Sequence, residues 1–333
     1  MASPPSPDSR RPHPLLRPFW NHHERRLRLF WRLLGMAILL FIVSILLGLA
    51  LFAMGLVDSF PAQMVLTLLS TVGSMALAGW ALDRRRFADY GLHLNRTWWT
   101  DFAFGLGLGV LLMAGIFAIS WAAGWVVVVD TLVTATPGVP FARALLVPIL
   151  LFLAVGIYEE MLLRGYLLRN LAEGLNMRWI SSRGAVIAAW VLSSVVFGVL
   201  HATNPNSTVI STINLSLAGI FLGLGYVLTK SLAIPIGLHI TWNLFQGTVF
   251  GFPVSGVQFG EARFLVIQQT GPEAWTGGAF GPEAGLSGIL AMVVGSLLTV
   301  WWVARRHGRA LVQSGLAEYP ARAGTTNDRP LVP

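Results

Sequence analysis

The chain has no cysteine, so neither a disulfide nor a thiolate metal site can hold it together. Charge is scarce too. Only 11% of the 333 residues are Asp, Glu, Lys or Arg, against 55% that are hydrophobic, which excludes an ordinary soluble domain and points to the lipid bilayer as surroundings. There is no internal repeat of fixed period, and this weighs against a carrier built from two related halves. Residues 1–21 are rich in Pro and Arg with no apolar run before Phe30, so they read as a disordered tail, not a cleaved signal sequence. The net charge of +8 comes from arginines placed beside apolar runs and not along a periodic face. It is a mark of membrane topology, and no nucleic-acid partner is expected.

What the sequence does contain is a set of apolar runs near 20 residues, the length a helix needs to cross about 30 Å of hydrocarbon. Eight are found, at 33–57, 62–82, 104–126, 144–171, 184–200, 209–228, 232–250 and 286–303. The fold class expected is all-α: a polytopic membrane helix bundle of about eight helices with its site inside. Basic residues alternate between connections. Arg25, Arg26, Arg28 and Arg32 precede the first run, Arg84, Arg85 and Arg86 follow the second, and Arg169, Arg178 and Arg183 separate the fourth and fifth. Lys230 lies between the sixth and seventh, and Arg305, Arg306 and Arg309 follow the eighth. By the positive-inside rule both termini face the cytoplasm, and a bacterial inner membrane is the expected location.

The organisation expected is a basic tail at 1–29, three helices within 30–143, a core of four helices at 144–251, an extracytoplasmic loop at 252–285, a last helix at 286–306 and a tail at 307–333. The loop, rich in Gly and Pro with Phe252, Phe264 and Trp275, reads as a mobile connector with interfacial aromatics. The stretch 86–99, ending in Trp98 and Trp99, reads as an interfacial anchor. The C-terminal stretch 315–333 is polar and unpatterned, with no role beyond solubility.

The informative anomaly is Glu159, Glu160 and Arg164 inside the fourth apolar run. A charge at mid-bilayer costs roughly 2.5–3.5 kcal/mol on insertion scales, so three on one span need compensation or a function. Glu160 and Arg164 are four residues apart and share a helical face, suited to a salt bridge. Glu159 is turned about 100° away and has no cation at helical spacing on its own face. Two other runs carry histidines: Phe197 and His201 on one face of the fifth, and His239 and Asn243 on one face of the seventh. A carboxylate, two imidazoles and a carboxamide supply a base for water and donors for an oxyanion, which is what amide hydrolysis requires.

Glu-Glu-x-x-x-Arg at 159–164, Phe-x-x-x-His at 197–201 and His-x-x-x-Asn at 239–243 resemble, in order and spacing, the motifs of the CPBP intramembrane proteases. That group, also called Abi, includes the CAAX prenyl endopeptidases of the Rce type. The resemblance covers roughly 145–251. It implies an eight-helix fold, a site within the membrane, and proteolysis of a membrane-associated protein or peptide, prenylated in the CAAX members. Carried over by position, it implies that Glu159 with His201 activates water, that His239 and Asn243 stabilise the oxyanion, and that Glu160 and Arg164 support them.

The family has also been described as metal-dependent, which would make Glu159, His201 and His239 the ligands of a divalent ion such as zinc. The sequence has no His-Glu-x-x-His helix, and a Glu and His activating water need no metal, so a metal-independent mechanism is the reading preferred here. Straight spans would leave His201 about 25 Å deep and His239 about 10 Å deep at ~1.5 Å per residue, so a buried 202–208 turn is expected to reconcile them. A proton-coupled transporter and a non-catalytic immunity or scaffold protein are the alternatives.

Overall fold

Where no water can satisfy the backbone, a continuous apolar run has to satisfy its amides internally, and the helix is the local solution. The computed structural model describes residues 17–22 and 24–319. Its long helices are α1 (Leu29–Ala53), α2 (Phe60–Ala78), α3 (Arg96–Ala122), α4 (Leu146–Glu160), α5 (Arg169–Leu175), α6 (Ser182–Leu200), α7 (Val209–Thr229), α8 (Ala233–Asn243) and α9 (Leu286–His307). α4 and α5 are one rod joined by a π-helical stretch, Met161–Leu168. Among the described residues seven helical rods are long and apolar enough to cross a membrane, so the chain is a polytopic helix bundle.

The expected eighth span, 232–250, is different. It is the 11-residue α8 followed by a π-helical turn at Leu244–Val249, and every residue of α8 is buried. α8 is enclosed by protein, and α3 is its main partner because both backbones carry glycines where they cross. A methyl group on Gly105 or Gly109 would strike the backbone of α8, and one on Gly237 would strike the Phe102 carbonyl. Small residues allow this approach, and Thr241 Oγ1 locks it by donating to Leu106 O at 2.8 Å.

Part of the 252–285 loop, expected as a mobile connector, belongs to a sheet. β3 (Val126–Thr134) pairs antiparallel with β4 (Ala262–Gln269), so the connection after α3 and the 252–285 loop make one ribbon. The loop is thus no loose connector. The four valines at 126–129 blend into the hydropathy of α3, yet their β-branched side chains suit a strand. At the other end of the bundle β1 (Trp20–Asn21) and β2 (Arg26–Leu27) form a short hairpin, within the tail expected to be disordered; residues 1–16 of that tail lie outside those described.

Several topology-marking arginines are not free in solution. Arg26, Arg32, Arg85 and Arg169 all pair with the buried Glu173, at 2.7, 3.3 and 3.3 Å for the first, second and fourth. This cluster unites the N-terminal hairpin, the end of α2 and α5, so the arginine-bearing connections share one end of the bundle. The C-terminal segment joins it as well. Tyr319 lies under the Arg26 guanidinium at 3.7 Å and donates to Arg84 O, while Leu316 and Ala317 are buried. Up to residue 319 this segment is packed against the protein; residues 320–333 lie outside those described.

Candidate active site

Glu159 and Glu160 sit on the last turn of α4, where the α-helix gives way to the π-helical stretch. Asn243 occupies the same place on α8, directly before its own π-helical turn. A π-turn widens the helix and shifts the facing of the side chains beside it, and such turns collect at functional sites. The motif residues were expected on a uniform helix, and the widened turns were not anticipated; Glu160 and Arg164 nevertheless meet at 2.8 Å.

α4 and α8 touch one turn before the carboxylates. Gly156 has no side chain to hold off Ile240, and a Cβ there would come within 2.6 Å of that residue. This closeness brings His239 against both glutamates. Its Nδ1 lies 2.8 Å from Glu160 Oε1 and its Nε2 3.9 Å from Glu159 Oε2. Because a carboxylate can only accept, Nδ1 carries the proton in that contact and Nε2 is the atom turned toward Glu159.

Glu160 Oε1 also accepts from Arg164 Nη1, so one buried oxygen serves a guanidinium and an imidazole together. Arg164 continues the chain of contacts by donating through Nη2 to Gly219 O at 2.9 Å on α7 and by standing 4.8 Å over the Phe197 ring. The pair at 160 and 164 therefore ties α4 to α6, α7 and α8. Glu159 is less engaged. Its side chain retains 17% of its accessibility, Tyr158 Oη donates to Oε1 at a long 3.4 Å, and Oε2 has no hydrogen-bond partner among the described residues.

His201 caps the end of α6 and turns Nδ1 onto Phe197 O at 2.8 Å. A carbonyl accepts only, so the proton sits on Nδ1 and Nε2 is left as a lone-pair acceptor. The Phe197 ring stands between the two imidazoles, 4.7 Å from that of His201 and 6.1 Å from that of His239. Asn243 is 92% buried, and its carboxamide makes no hydrogen bond among the described residues.

Glu159, His201, His239 and Asn243 all line one cavity of about 550 Å³. Most of its wall is apolar, from Leu151, Phe152, Leu215, Phe221 and Met292 among others. The depth problem posed by straight spans is met differently from the expectation. The 202–208 turn is not deeply buried; Ala202, Thr203 and Pro205 are exposed. It is clamped to the loop instead, with Asn204 donating to Ser255 O at 2.9 Å and Asn206 to Gly256 O at 3.0 Å.

Glu283 and its hydrogen-bond partner Gln246 escaped the sequence reading of this region. Glu283, 3% exposed, accepts from the Ser255 amide and hydroxyl and from Gln246 Nε2, and it lines the same cavity. Burial pushes its carboxyl up to about 7, against the opposing pull of those hydrogen bonds. Neither residue lies in a recognisable motif; a lone carboxylate in a Gly- and Pro-rich loop carries no local signal of its own.

The donors do not fit a resident metal ion as they stand. Among the described residues no three His, Asp or Glu side chains converge as a ligand group; the Nδ1 contacts with Phe197 and Glu160 leave each imidazole Nε2 available and do not themselves bear on the fit. Residues 141–245 match the family model described as Type II CAAX prenyl endopeptidase Rce1-like, a stretch that includes every motif residue from Glu159 to Asn243. No curated protein and no solved structure matches the chain.

Proposed function

We propose, for a chain whose residues 141–245 match the Type II CAAX prenyl endopeptidase Rce1-like family model, that the cavity around Glu159 hydrolyses a peptide bond of a membrane-associated protein or peptide. The observation that carries this reading is the lining of one cavity by Glu159, His201, His239 and Asn243, contributed by three separate helices.

Water held between Glu159 and His201 Nε2 attacks the scissile carbonyl carbon and gives its proton to Glu159. The carbonyl oxygen becomes an oxyanion, which the Asn243 carboxamide and a proton on His239 Nε2 can meet with hydrogen bonds. Glu160 holds His239 by Nδ1 and fixes the facing of that ring, in the way a buried carboxylate orients an imidazole in a triad. Collapse of the tetrahedral intermediate breaks the C–N bond, and the proton stored on Glu159 passes to the leaving amine. No step requires a metal.

The apolar wall suits an apolar substrate group beside the scissile bond, and a prenylated CAAX-type substrate is one that would fit. The gathering of basic connections at one end of the bundle supports placing that end, with both termini, in the cytoplasm of a bacterial cell. The test is quantitative proteomics of membrane peptides from cells bearing the native protein against cells bearing Glu159→Ala or His201→Ala. Cleavage products should vanish in both variants while the protein accumulates normally. Unchanged peptide profiles would overturn the reading. A non-catalytic scaffold would keep its phenotype in Glu159→Gln.

A further inference from the structure

A second cavity, of about 340 Å³, opens at the arginine-bearing end of the bundle and shares no lining residue with the first. It lies where α2 and α7 end, α3 begins and α9 ends. Arg85, Arg169 and Lys230 supply three cationic side chains, and His93, Asn95 and Thr97 line its other side.

Hydrogen-bond capacity in this cavity is unbalanced toward donors. Arg85 is buried and spends Nη2 on Glu173, but its Nε and Nη1 have no hydrogen-bond partner among the described residues. Lys230 is exposed and forms no ion pair among them. Asn95 caps α3 by accepting from the Trp98 amide at 2.9 Å, so the amides of Arg96 and Thr97 remain without an intrahelical acceptor at the positive end of a 27-residue helix.

The two carboxylates that also line the space are already engaged. Asp101 accepts from Trp302 Nε1 at 2.9 Å and faces His307 Nε2 at 3.0 Å, and Asp89 accepts from the Arg86 amide at 3.1 Å. Arg85 and Arg169 each pair with Glu173, but the unpartnered Nε and Nη1 of Arg85 and the ammonium of Lys230 beside a helix N-terminus form a site for a compact anion with several acceptor oxygens.

We propose that this cavity binds a phosphate-bearing anion at the membrane surface, as the headgroup of an anionic phospholipid or as free phosphate. The position at the ends of four helices and the room for more than a single phosphate group fit either source. Such a ligand would join α2, α3, α7 and α9 at the end of the bundle away from the proteolytic cavity.

The experiment uses the full chain purified in neutral detergent and follows its thermal unfolding. Inorganic phosphate is titrated in one arm; in the others the protein is placed in nanodiscs of phosphatidylglycerol or of phosphatidylcholine. The companion variant is Lys230→Asn, chosen because position 230 has φ 60 and Asn tolerates that backbone. Lys230 carries no ion pair, so the variant should unfold as the native protein does without ligand.

A saturable rise in melting temperature with phosphate, weakened about tenfold or more in apparent affinity by Lys230→Asn and restored by Lys230→Arg, supports the site with free phosphate as source. A rise with phosphatidylglycerol over phosphatidylcholine, lost in Lys230→Asn, supports it with a lipid headgroup as source. No response to either probe, or equal responses in the native protein and Lys230→Asn, overturns the proposal. None of these readouts depends on proteolysis.

Discussion

Glu160 Oε1 and His239 Nδ1 lie 2.8 Å apart although 79 positions separate them in the chain. The same oxygen accepts from Arg164, so Glu160 is both the counter-ion of a buried guanidinium and the anchor of a buried imidazole. Glu160→Gln should therefore fail in two ways. It leaves the Arg164 charge without a carboxylate in the interior, a loss that costs about 3–5 kcal/mol for buried pairs. It also releases His239 from its orientation. A large drop in melting temperature in detergent is expected together with loss of cleavage, and a variant that melts normally and cleaves normally would remove Glu160 from the site.

Glu159 predicts the opposite separation of stability and activity. Its side chain is only partly enclosed and its one hydrogen bond, from Tyr158, is long. Glu159→Gln should melt within a few degrees of the native protein, while cleavage falls by roughly 10²–10⁴-fold, the usual contribution of a general base. Side-by-side unfolding curves and cleavage assays on the 159 and 160 variants distinguish the reagent from its support. Comparable destabilisation in both would contradict this division.

Asn243 should behave as a donor whose only partner forms during the reaction. Asn243→Ala removes a carboxamide that holds nothing in the resting protein, so a drop of about 10²–10³-fold in turnover with little change in the substrate's apparent affinity is expected. Single-turnover and steady-state kinetics on the same substrate would separate these. A change confined to affinity would reassign Asn243 to substrate binding.

Much of this was legible in the sequence, and the illegible part has physical causes. Hydropathy reads helices well because lipid leaves the backbone no other local solution, so seven of the eight expected runs stand as long helices. The run at 232–250 is helical from residue 233 to 249, but hydropathy could not show that protein and not lipid surrounds its first eleven residues. The meeting of Glu160 with His239 depends on Gly156 and Ile240, and no spacing rule connects those two positions. Likewise Val126 to Val129 look like the end of a span until Ala262–Gln269 offers a partner strand. The arginines at 26, 32, 85 and 169 were legible as topology signals but not as one buried cluster, because their shared partner Glu173 becomes central only in three dimensions.

Glu283 makes the protein's stability depend on pH. Its carboxyl is held near 7 in the folded protein against an ordinary 4.5, so between those values the folded state binds the extra proton. Stability from this group is fully present below pH 4.5 and is lost as pH rises through 7, which at about 1.36 kcal/mol per unit amounts to roughly 3 kcal/mol. Melting temperature in detergent should decline from pH 5 to pH 8, and Glu283→Gln, which keeps a neutral side chain at every pH, should flatten that decline. Ionisation strengthens the hydrogen bonds that Glu283 accepts from Ser255 and Gln246, so the lost stability is the cost of burying the charge, and it falls on the wall over His201, where Asn204 holds the Ser255 carbonyl. Proteolysis of the 253–257 segment by an added protease should accelerate across the same pH interval in the native protein. An identical pH dependence in Glu283→Gln would place the titrating group elsewhere.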